Sequence, residues 1–206
     1  MQTQKNLLSR ELTSLLRHQA PKKGIDYDRY GGIPIDTIVS LKDFTKYNIA
    51  SNHIRYIVSS CPKKRFAIYS DDEGIERVCA TQGHSYKVQL FGSKLITEST
   101  LQKLHINPHT IVHGTYNETL PSILESGGLS KMGRTHIHFA IDVPESHLVI
   151  SGMRKSCEVL IFIDIYTALC DGYEFVLSQN KVVLTTGNKK GILPSKYFRD
   201  IVVREK

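Results

Sequence analysis

The segment GRTHIHFA, residues 133–140, alternates polar and apolar side chains toward its end. This alternation predicts a β-strand, with His136 and His138 on one face and Ile137 and Phe139 on the other. The segment therefore predicts a strand with two imidazoles on one face.

A pair of histidines on one strand face favours either hydrogen-bonded core histidines or two ligands of a metal ion. A zinc site would need a third protein ligand, and the other prominent candidate in the sequence is His113. No carboxylates or thiols cluster near these histidines in the sequence. We therefore expect no metal site.

The rest of the second half is also rich in strand patterns. Further strands are predicted in TIVHG (110–114), EVLIFID (158–164), YEFVLS (173–178), KVVLTT (181–186) and DIVVRE (200–205). A helix is predicted in NETLPSILESGG (117–128), ended by one of its two glycines, and a shorter helix in PESHLVIS (144–151).

The first half has a different order of elements. In KNLLSRELTSLLRHQA (5–20) four leucines share one helical face, which predicts an amphipathic helix that ends before Pro21. A short strand and a helix with Asp36 as N-cap follow in residues 33–44, and a third helix in residues 50–61. Alternating segments on both sides of DDEG (71–74) predict a hairpin. This order of helices and hairpin is typical of a winged-helix module.

Length and charge support a division into two lobes. The chain has 206 residues, 40% of them hydrophobic, and a net charge of +7. Residues 1–93 hold 14 Lys and Arg against 9 Asp and Glu, whereas residues 94–206 hold 13 against 11. A basic first half suits a polyanionic partner such as nucleic acid. We predict lobes at residues 1–93 and 109–206, joined by a linker region at residues 94–108.

No apolar run approaches the roughly 20 residues of a membrane span, and the N-terminus has no signal-peptide pattern. The four cysteines form no C-x-x-C pair, so we expect reduced and mostly buried thiols. These features predict a soluble intracellular protein, in the cytoplasm or nucleus.

Eight stretches in register resemble the NAD-dependent RNA 2'-phosphotransferase family, whose members act on tRNA. They are LSRELTSLLRH (8–18), GGIPIDTIV (31–39), KKRFAI (63–68), ATQGHS (80–85), VHGT (112–115), GRTHIHFA (133–140), SGMRKSCEVLIFID (151–164) and FVLSQNKVVLTT (175–186). The resemblance implies an α+β fold, with an N-terminal winged-helix lobe, a strand-rich ADP-ribosyltransferase-like lobe and an active site in the cleft between them.

The reaction that this resemblance implies removes an internal 2'-phosphate from RNA in two steps. The phosphate first attacks C1'' of the nicotinamide ribose of NAD+ and expels nicotinamide. The ribose 2''-OH then attacks phosphorus and releases 2'-OH RNA and ADP-ribose 1'',2''-cyclic phosphate. The expected partners are RNA with an internal 2'-phosphate, from spliced tRNA, and NAD+, which is consumed; no metal is expected, and we expect a monomer.

The substrate supplies the nucleophile in this chemistry, so the enzyme needs cations that hold a phosphate. Arginine suits this role because its planar guanidinium donates in pairs and stays charged. The resemblance implies a catalytic set of three arginines and one histidine: Arg17, His18, Arg65 and Arg134. His18 would either donate to the phosphate as a cation or transfer a proton in the second step. Lys63, two residues before Arg65, is a weaker candidate for the same anion.

The resemblance also implies the cofactor-binding set His113, Gly114, Thr115 and His138. His113 would bind a cofactor ribose and His138 would stack on nicotinamide, while the glycine would let a ligand approach the backbone. ADP-ribosyltransferase folds often have a glutamate on a later strand, but Val182 occupies that position here. His136 would support His138, and Arg154 would either approach the pyrophosphate or form a surface ion pair.

Two other functions fit the same sequence. One is NAD-dependent ADP-ribosylation of a nucleic-acid terminal phosphate, which would release no cyclic phosphate. The other is a winged-helix nucleic-acid-binding module without catalysis, a hypothesis that the intact VHGT and HIHFA motifs disfavour.

Overall fold

The computed structural model describes residues 2–204 of the chain. These residues form two compact units that divide between Phe91 and Gly92. The described residues contain both helices and antiparallel sheets, which fits the predicted α+β class.

The first unit packs its helices against a small antiparallel sheet of strand order β1-β3-β2. Its core contains the four leucines of the predicted amphipathic face, Leu8, Leu12, Leu15 and Leu16, all of them buried. The elements are α1 (Gln2–Ser14), β1 (Ile33–Pro34), α2 (Ile35–Ser40), α3 (Lys42–Thr45), α4 (Ser51–Ser59), β2 (Phe66–Ser70) and β3 (Glu76–Ala80).

The end of the first helical segment differs from the regular helix that the sequence predicts. After α1 the chain widens into a π-helical turn at Leu15–Gln19 and then forms a short 3₁₀ turn at Pro21–Lys23. The backbone N–H of Ala20 donates to the carbonyl of Leu15 at 3.0 Å, which closes the wide turn. Hydrophobic periodicity does not distinguish a π-helical turn from an α-helical one, because one extra residue in one turn changes the apolar face little.

Asp36 does not cap α2 as predicted. The helix begins at Ile35, after Pro34, so Asp36 lies within its first turn. The Asp36 carboxylate instead accepts a hydrogen bond from the Ser51 hydroxyl at 2.7 Å, and it therefore ties α2 to the start of α4. The predicted hairpin is confirmed: the Asp71 carboxylate accepts from the backbone N–H groups of Glu73 and Ile75 in the turn between β2 and β3.

The second unit is built on a seven-stranded sheet of order β12-β8-β5-β7-β10-β9-β4, in which every neighbouring pair is antiparallel. A separate two-stranded sheet pairs β11 with β6. The elements are β4 (Lys94–Leu95), α5 (Glu98–Lys103), β5 (Val112–Thr115), α6 (Leu120–Glu125), β6 (Gly128–Ser130), β7 (Ile137–Ala140), β8 (Val159–Ile163), α7 (Ile165–Cys170), β9 (Val176–Leu177), β10 (Val182–Thr185), β11 (Ile192–Pro194) and β12 (Phe198–Val203).

The two faces of the large sheet bury different clusters. Ile137 and Phe139 of β7 point into the main core, as their alternation predicts. Val112 and Ala140, which are paired across β5 and β7, belong to a smaller cluster that also contains Leu160. Paired residues share a face in a sheet, so this smaller cluster marks the face opposite the main core.

Residues 94–108, where the sequence placed a linker region, contain β4 and α5 and contribute Ile96, Leu101 and Ile106 to the main core. The helix predicted at residues 144–151 is absent from the structure, which has turns there. The Ser146 hydroxyl accepts from the backbone N–H of Leu148 at 3.2 Å. Serine side chains compete in this way with helical hydrogen bonds, and this explains the wrong prediction.

Among residues 2–204 no helix is both long and apolar enough to cross a bilayer. The four cysteine thiols are free, and Cys61, Cys79 and Cys157 are buried while Cys170 is exposed, as predicted. Burial raises the pKa of the Cys79 thiol to about 12, so this thiol stays protonated near neutral pH.

Candidate functional site

Arg17 and His18 both lie on the π-helical turn that follows α1, and both side chains are half-buried. The backbone carbonyls of this turn receive hydrogen bonds from a distant loop. The Ser85 N–H donates to the Arg17 carbonyl at 2.9 Å, and the Tyr86 hydroxyl donates to the Leu16 carbonyl at 2.7 Å. The carbonyls at a helix C-terminus lack intrahelical partners, so these bonds stabilise the turn that presents Arg17 and His18.

Burial raises the pKa of Tyr86, so its hydroxyl remains a donor to the helical turn across the physiological pH range. The Tyr86 ring also contacts Tyr27 at a centroid distance of 4.9 Å. The wide turn is thus held by packing as well as by hydrogen bonds. π-Helical turns are rare and often occur at functional sites, which supports a functional role for this one.

Arg65 immediately precedes β2 and is half-buried. Its guanidinium lies 3.6 Å from the Cys61 sulfur, and its backbone carbonyl accepts from the Thr81 N–H at 2.9 Å. Lys63 lies in the turn before β2, where Lys64 has a left-handed backbone with φ 42°. Lys63 and Arg65 both precede β2, so strand alternation does not place their two side chains on one face.

Arg134 lies in the second unit, in an exposed turn between β6 and β7. Its backbone N–H donates to the Lys131 carbonyl at 3.1 Å, which closes the turn. Its charge acts on a neighbouring histidine, because the Arg134 guanidinium contributes to lowering the pKa of His113. Arg134 is thus a charged neighbour of His113 within the second unit.

His113 lies on β5 and is the neutral imidazole of this site. Burial, with a smaller contribution from Arg134, lowers the pKa of His113 below its usual value of 6.5. Its Nδ1 lies 2.9 Å from the backbone carbonyl of His138, to which only an N–H can donate. The neutral ring therefore carries its proton on Nδ1, and Nε2 has a lone pair that can accept from a hydroxyl group.

His138 is buried on β7, at 8% exposure. Strand alternation places it on the face of Ala140, whereas His113 shares the face of Phe139, whose ring centroid is 6.0 Å from that of His113. The two predicted cofactor histidines are thus joined through the main chain of β7, and their rings lie on opposite faces of the sheet.

Gly114 leaves a space that other side chains of the unit fill. A β-carbon at Gly114 would lie 2.4 Å from Sδ of Met153 and 2.9 Å from Sγ of Cys157. The absence of a side chain therefore allows Met153 to pack on β5 here. Arg154, next in the chain, lies 3.5 Å from the hydroxyl of Tyr116, and this contact lowers the pKa of Tyr116.

His136 precedes β7 and is half-buried. Its Nδ1 lies 2.8 Å from the Thr135 hydroxyl, and burial followed by the charge of Lys131 lowers the pKa of His136. Within residues 2–204, no three His, Cys, Asp or Glu side chains come together in a group that could hold a metal ion.

Val182 is completely buried and pairs with Ala140 across β10 and β7. The next inward position, Leu184, pairs with His138. β10, which carries Val182, is therefore adjacent to the candidate cofactor strand β7, and it presents apolar side chains on this face.

The sequence-predicted residues thus form two sets, one in each unit. Arg17, His18 and Arg65 lie on segments that the same loop, residues 81–86, hydrogen-bonds. The other set consists of His113, Gly114, Thr115, Arg134 and His138. The motif ATQGHS (80–85) is part of the family resemblance, but its residues alone indicate no specific role. The motif places several polar and small residues directly after a strand. This composition is unusual for a buried loop, and it is the sequence feature that could have indicated a role.

Comparison with known proteins supports the same family as the motifs. The model of the family described as "RNA 2'-phosphotransferase, Tpt1 / KptA family" matches residues 3–187. The "tRNA 2'-phosphotransferase 1" of Bos taurus is 40% identical over 195 residues, which cover 94% of this chain and 73% of the relative. The "tRNA 2'-phosphotransferase" of Saccharomyces cerevisiae is 33% identical over 199 residues, 96% of this chain and 83% of the relative. The "Probable RNA 2'-phosphotransferase" of Rhizobium rhizogenes is 27% identical over 194 residues, 94% and 92% respectively.

Proposed function

This chain belongs to the RNA 2'-phosphotransferase family, and we propose that it transfers an internal 2'-phosphate from RNA to NAD+. The observation that carries the proposal is the set Arg17, His18 and Arg65, because one loop, residues 81–86, hydrogen-bonds the segments that carry all three. Two arginines and an imidazole suit the binding of a phosphate dianion, because arginine donates bidentately and stays charged. The RNA that we propose as substrate is spliced tRNA, after the names of the relatives.

In the first proposed step, an oxygen of the RNA 2'-phosphate forms a bond to C1'' of the nicotinamide ribose. The bond from C1'' to nicotinamide breaks, and nicotinamide leaves with the electron pair. Arg17, Arg65 and Arg134 would hold the phosphate against the carbon. Positioning of this kind can contribute much of a rate enhancement, because it replaces an encounter by a fixed geometry.

In the second proposed step, the ribose 2''-oxygen forms a bond to phosphorus and the bond to the RNA 2'-oxygen breaks. The proton of the 2''-OH ends on the RNA 2'-oxygen, so the products are 2'-OH RNA and ADP-ribose 1'',2''-cyclic phosphate. Negative charge builds on the non-bridging oxygens, where preorganised cations contribute most. His18 is the candidate for the proton transfer, or for a further positive charge at the phosphate.

NAD+ is consumed in this reaction as a co-substrate, and the second unit has groups that suit it. The lone pair on Nε2 of neutral His113 can accept from a ribose hydroxyl, and Nδ1 is fixed by the His138 carbonyl. Arg134 offers a positive charge near that imidazole. Gly114 suits a close approach only where Met153 moves aside, since this side chain now covers the glycine.

The test compares three RNAs of one sequence, which carry an internal 2'-phosphate, a terminal phosphate or neither. Each is incubated with the protein and NAD+, and the products are identified by mass spectrometry. We expect ADP-ribose 1'',2''-cyclic phosphate from the internal 2'-phosphate alone. A stable ADP-ribosyl adduct on the terminal phosphate, with no cyclic product from any RNA, would contradict the proposal and favour ADP-ribosylation. Binding of all three RNAs without consumption of NAD+ would favour a binding module without catalysis.

A further inference from the structure

The loop that follows β3, residues Thr81–Tyr86, is polar in sequence, and its first four residues are buried in the fold while Ser85 is exposed. Thr81, Gln82 and His84 are exposed by only 2%, 5% and 0% respectively. Loops usually lie at the surface, because their backbone groups need water as a partner. The polar groups of a buried loop need hydrogen bonds to other parts of the protein. Here several of these hydrogen bonds go to the segments that carry Arg17 and Arg65.

Gly83 lies directly against the guanidinium of Arg17. A β-carbon at Gly83 would lie 3.2 Å from Cζ and Nη1 of Arg17 and 3.3 Å from its Nε. All three distances are shorter than an ordinary carbon contact of about 3.5–4.0 Å. The backbone of Gly83 thus limits how closely the Arg17 side chain can approach the loop.

The same loop fixes the main chain beneath that guanidinium. The backbone N–H and the hydroxyl of Ser85 both point to the Arg17 carbonyl, at 2.9 and 3.3 Å. The Tyr86 hydroxyl binds the Leu16 carbonyl of the same π-helical turn. Gly83 and Ser85 therefore contact the side chain and the backbone of Arg17, and Tyr86 binds the residue before it.

The beginning of the loop positions Arg65 in a similar way. The Thr81 N–H donates to the Arg65 carbonyl at 2.9 Å, and the Thr81 hydroxyl donates to the Lys64 carbonyl at 3.1 Å. Lys64 has a left-handed backbone, φ 42°, which a lysine adopts at an energetic cost. Tertiary contacts must offset that cost, and the hydroxyl of Thr81 is one such contact.

We propose that residues Thr81–Tyr86 are a positioning element for the phosphate-binding arginines, in which Gly83 sets the guanidinium of Arg17 and Thr81 sets the backbone of Arg65. This inference rests on the proposed function, since it assigns these arginines to an RNA 2'-phosphate. Gly83 and Thr81 are positioning residues, because they act through Arg17 and Arg65. The element gives the enzyme its selectivity for RNA that carries the internal phosphate.

The first experiment compares Gly83→Ala with Gly74→Ala. Both glycines have a left-handed backbone, with φ +88° and +80°, so alanine strains both. A β-carbon at Gly74 meets nothing within 4 Å, whereas one at Gly83 meets Arg17. The pair therefore separates the contact with Arg17 from the strain of the backbone.

The readout is the affinity for RNA with an internal 2'-phosphate divided by the affinity for the same RNA without it. We expect Gly83→Ala to lower this ratio, and the single-turnover rate of phosphate release, by about tenfold or more, since small displacements of catalytic groups are costly. Gly74→Ala should keep both within about twofold of wild type. Equal ratios for the two variants would overturn the proposal.

A second pair of variants keeps the proposal testable if Gly83→Ala does not fold. Thr81→Val removes the hydroxyl that binds the Lys64 carbonyl and preserves the shape, while Thr81→Ser retains the hydroxyl. We expect a several-fold loss of the affinity ratio in the valine variant and recovery in the serine variant, with unchanged affinity for NAD+. Loss in both variants alike, or in neither, would contradict a positioning role for Thr81.

The experiments distinguish a failure of the proposed function from a failure of the positioning role. If wild type binds both RNAs equally well and releases no cyclic phosphate, the proposed function is wrong. If wild type discriminates between the RNAs and Gly83→Ala discriminates equally well, the proposed function stands and the positioning role of the loop is wrong.

Discussion

Replacing Gly114 by alanine tests whether the glycine of the VHGT motif serves packing or cofactor approach. The new β-carbon would lie 2.4 Å from Sδ and 2.5 Å from Cγ of Met153, and 2.9 Å from Sγ of Cys157. Ordinary contacts lie near 3.5–4.0 Å, so Met153 must move by about 1 Å or more. Overpacking of this size costs about 1–3 kcal/mol and should lower the Tm by about 2–12 °C.

Gly133→Ala is the matched control, because a β-carbon there meets nothing within 4 Å and neither glycine has a left-handed backbone. It should change the free energy of unfolding by about 0.5 kcal/mol at most. The assay is urea unfolding of Gly114→Ala, Met153→Ala and the double variant, compared as a double-mutant cycle.

Removal of Met153 should relieve the alanine at position 114, so the double variant should be more stable than the sum of the single effects by about 0.5–3 kcal/mol. Additive effects, or equal stability of Gly114→Ala and Gly133→Ala, would refute the packing argument. The same proteins report on the cofactor, because a loss of NAD+ affinity that persists in the double variant and is absent from Met153→Ala comes from the alanine at position 114. Recovery of that affinity would show that Met153 had blocked the strand.

Three other outcomes are expected. Arg65→Ala and Arg134→Ala should slow the second chemical step by about 100- to 1000-fold, more than the first, so that RNA carrying a 2'-phospho-ADP-ribosyl group accumulates in a single-turnover time course. Arg55→Ala, which removes an equal charge from an exposed pair with a glutamate, is the control, and equal slowing of both steps would be the contrary result. His113→Ala should raise the KM for NAD+ at least tenfold and leave RNA affinity within about twofold, whereas a parallel loss of both would argue against separate sites. The lowered pKa values of His113 and His136 mean that the unfolded chain binds more protons just below pH 6.5, so the free energy of unfolding should fall as the pH drops from 6.5. Urea unfolding between pH 8 and pH 5 measures this slope, which His113→Asn should flatten.

Strand alternation and hairpin signals predicted most of the fold correctly, because they depend on residues close together in the chain. The core positions of Ile137 and Phe139 and the hairpin around Asp71 follow from such local patterns. The strands β6 and β11 escaped prediction because each is three residues long and stabilised by pairing with the other, 60 or so positions away. The extra residue of the π-helical turn at Leu15–Gln19 likewise leaves no mark on the leucine periodicity.

Local sequence patterns also do not predict which segments support the residues of the candidate site. Its residues were predicted by resemblance, and the structure shows which segments support them, which no local pattern could predict. Nothing in the motif ATQGHS indicates that Gly83 lies against Arg17, because the two residues are far apart in the chain. The placement of Met153 on Gly114 is another contact between distant residues, and no local pattern predicts it.

In the proposed reaction the phosphate itself moves from RNA to NAD+. RNA labelled with ³²P only at one internal 2'-phosphate should be incubated with the protein and NAD+ in the presence of EDTA. We expect the label to leave the RNA and to appear in ADP-ribose 1'',2''-cyclic phosphate in equal amounts, with no transfer when NAD+ is omitted. Release of the label as inorganic phosphate, or release that continues without NAD+, would contradict the account.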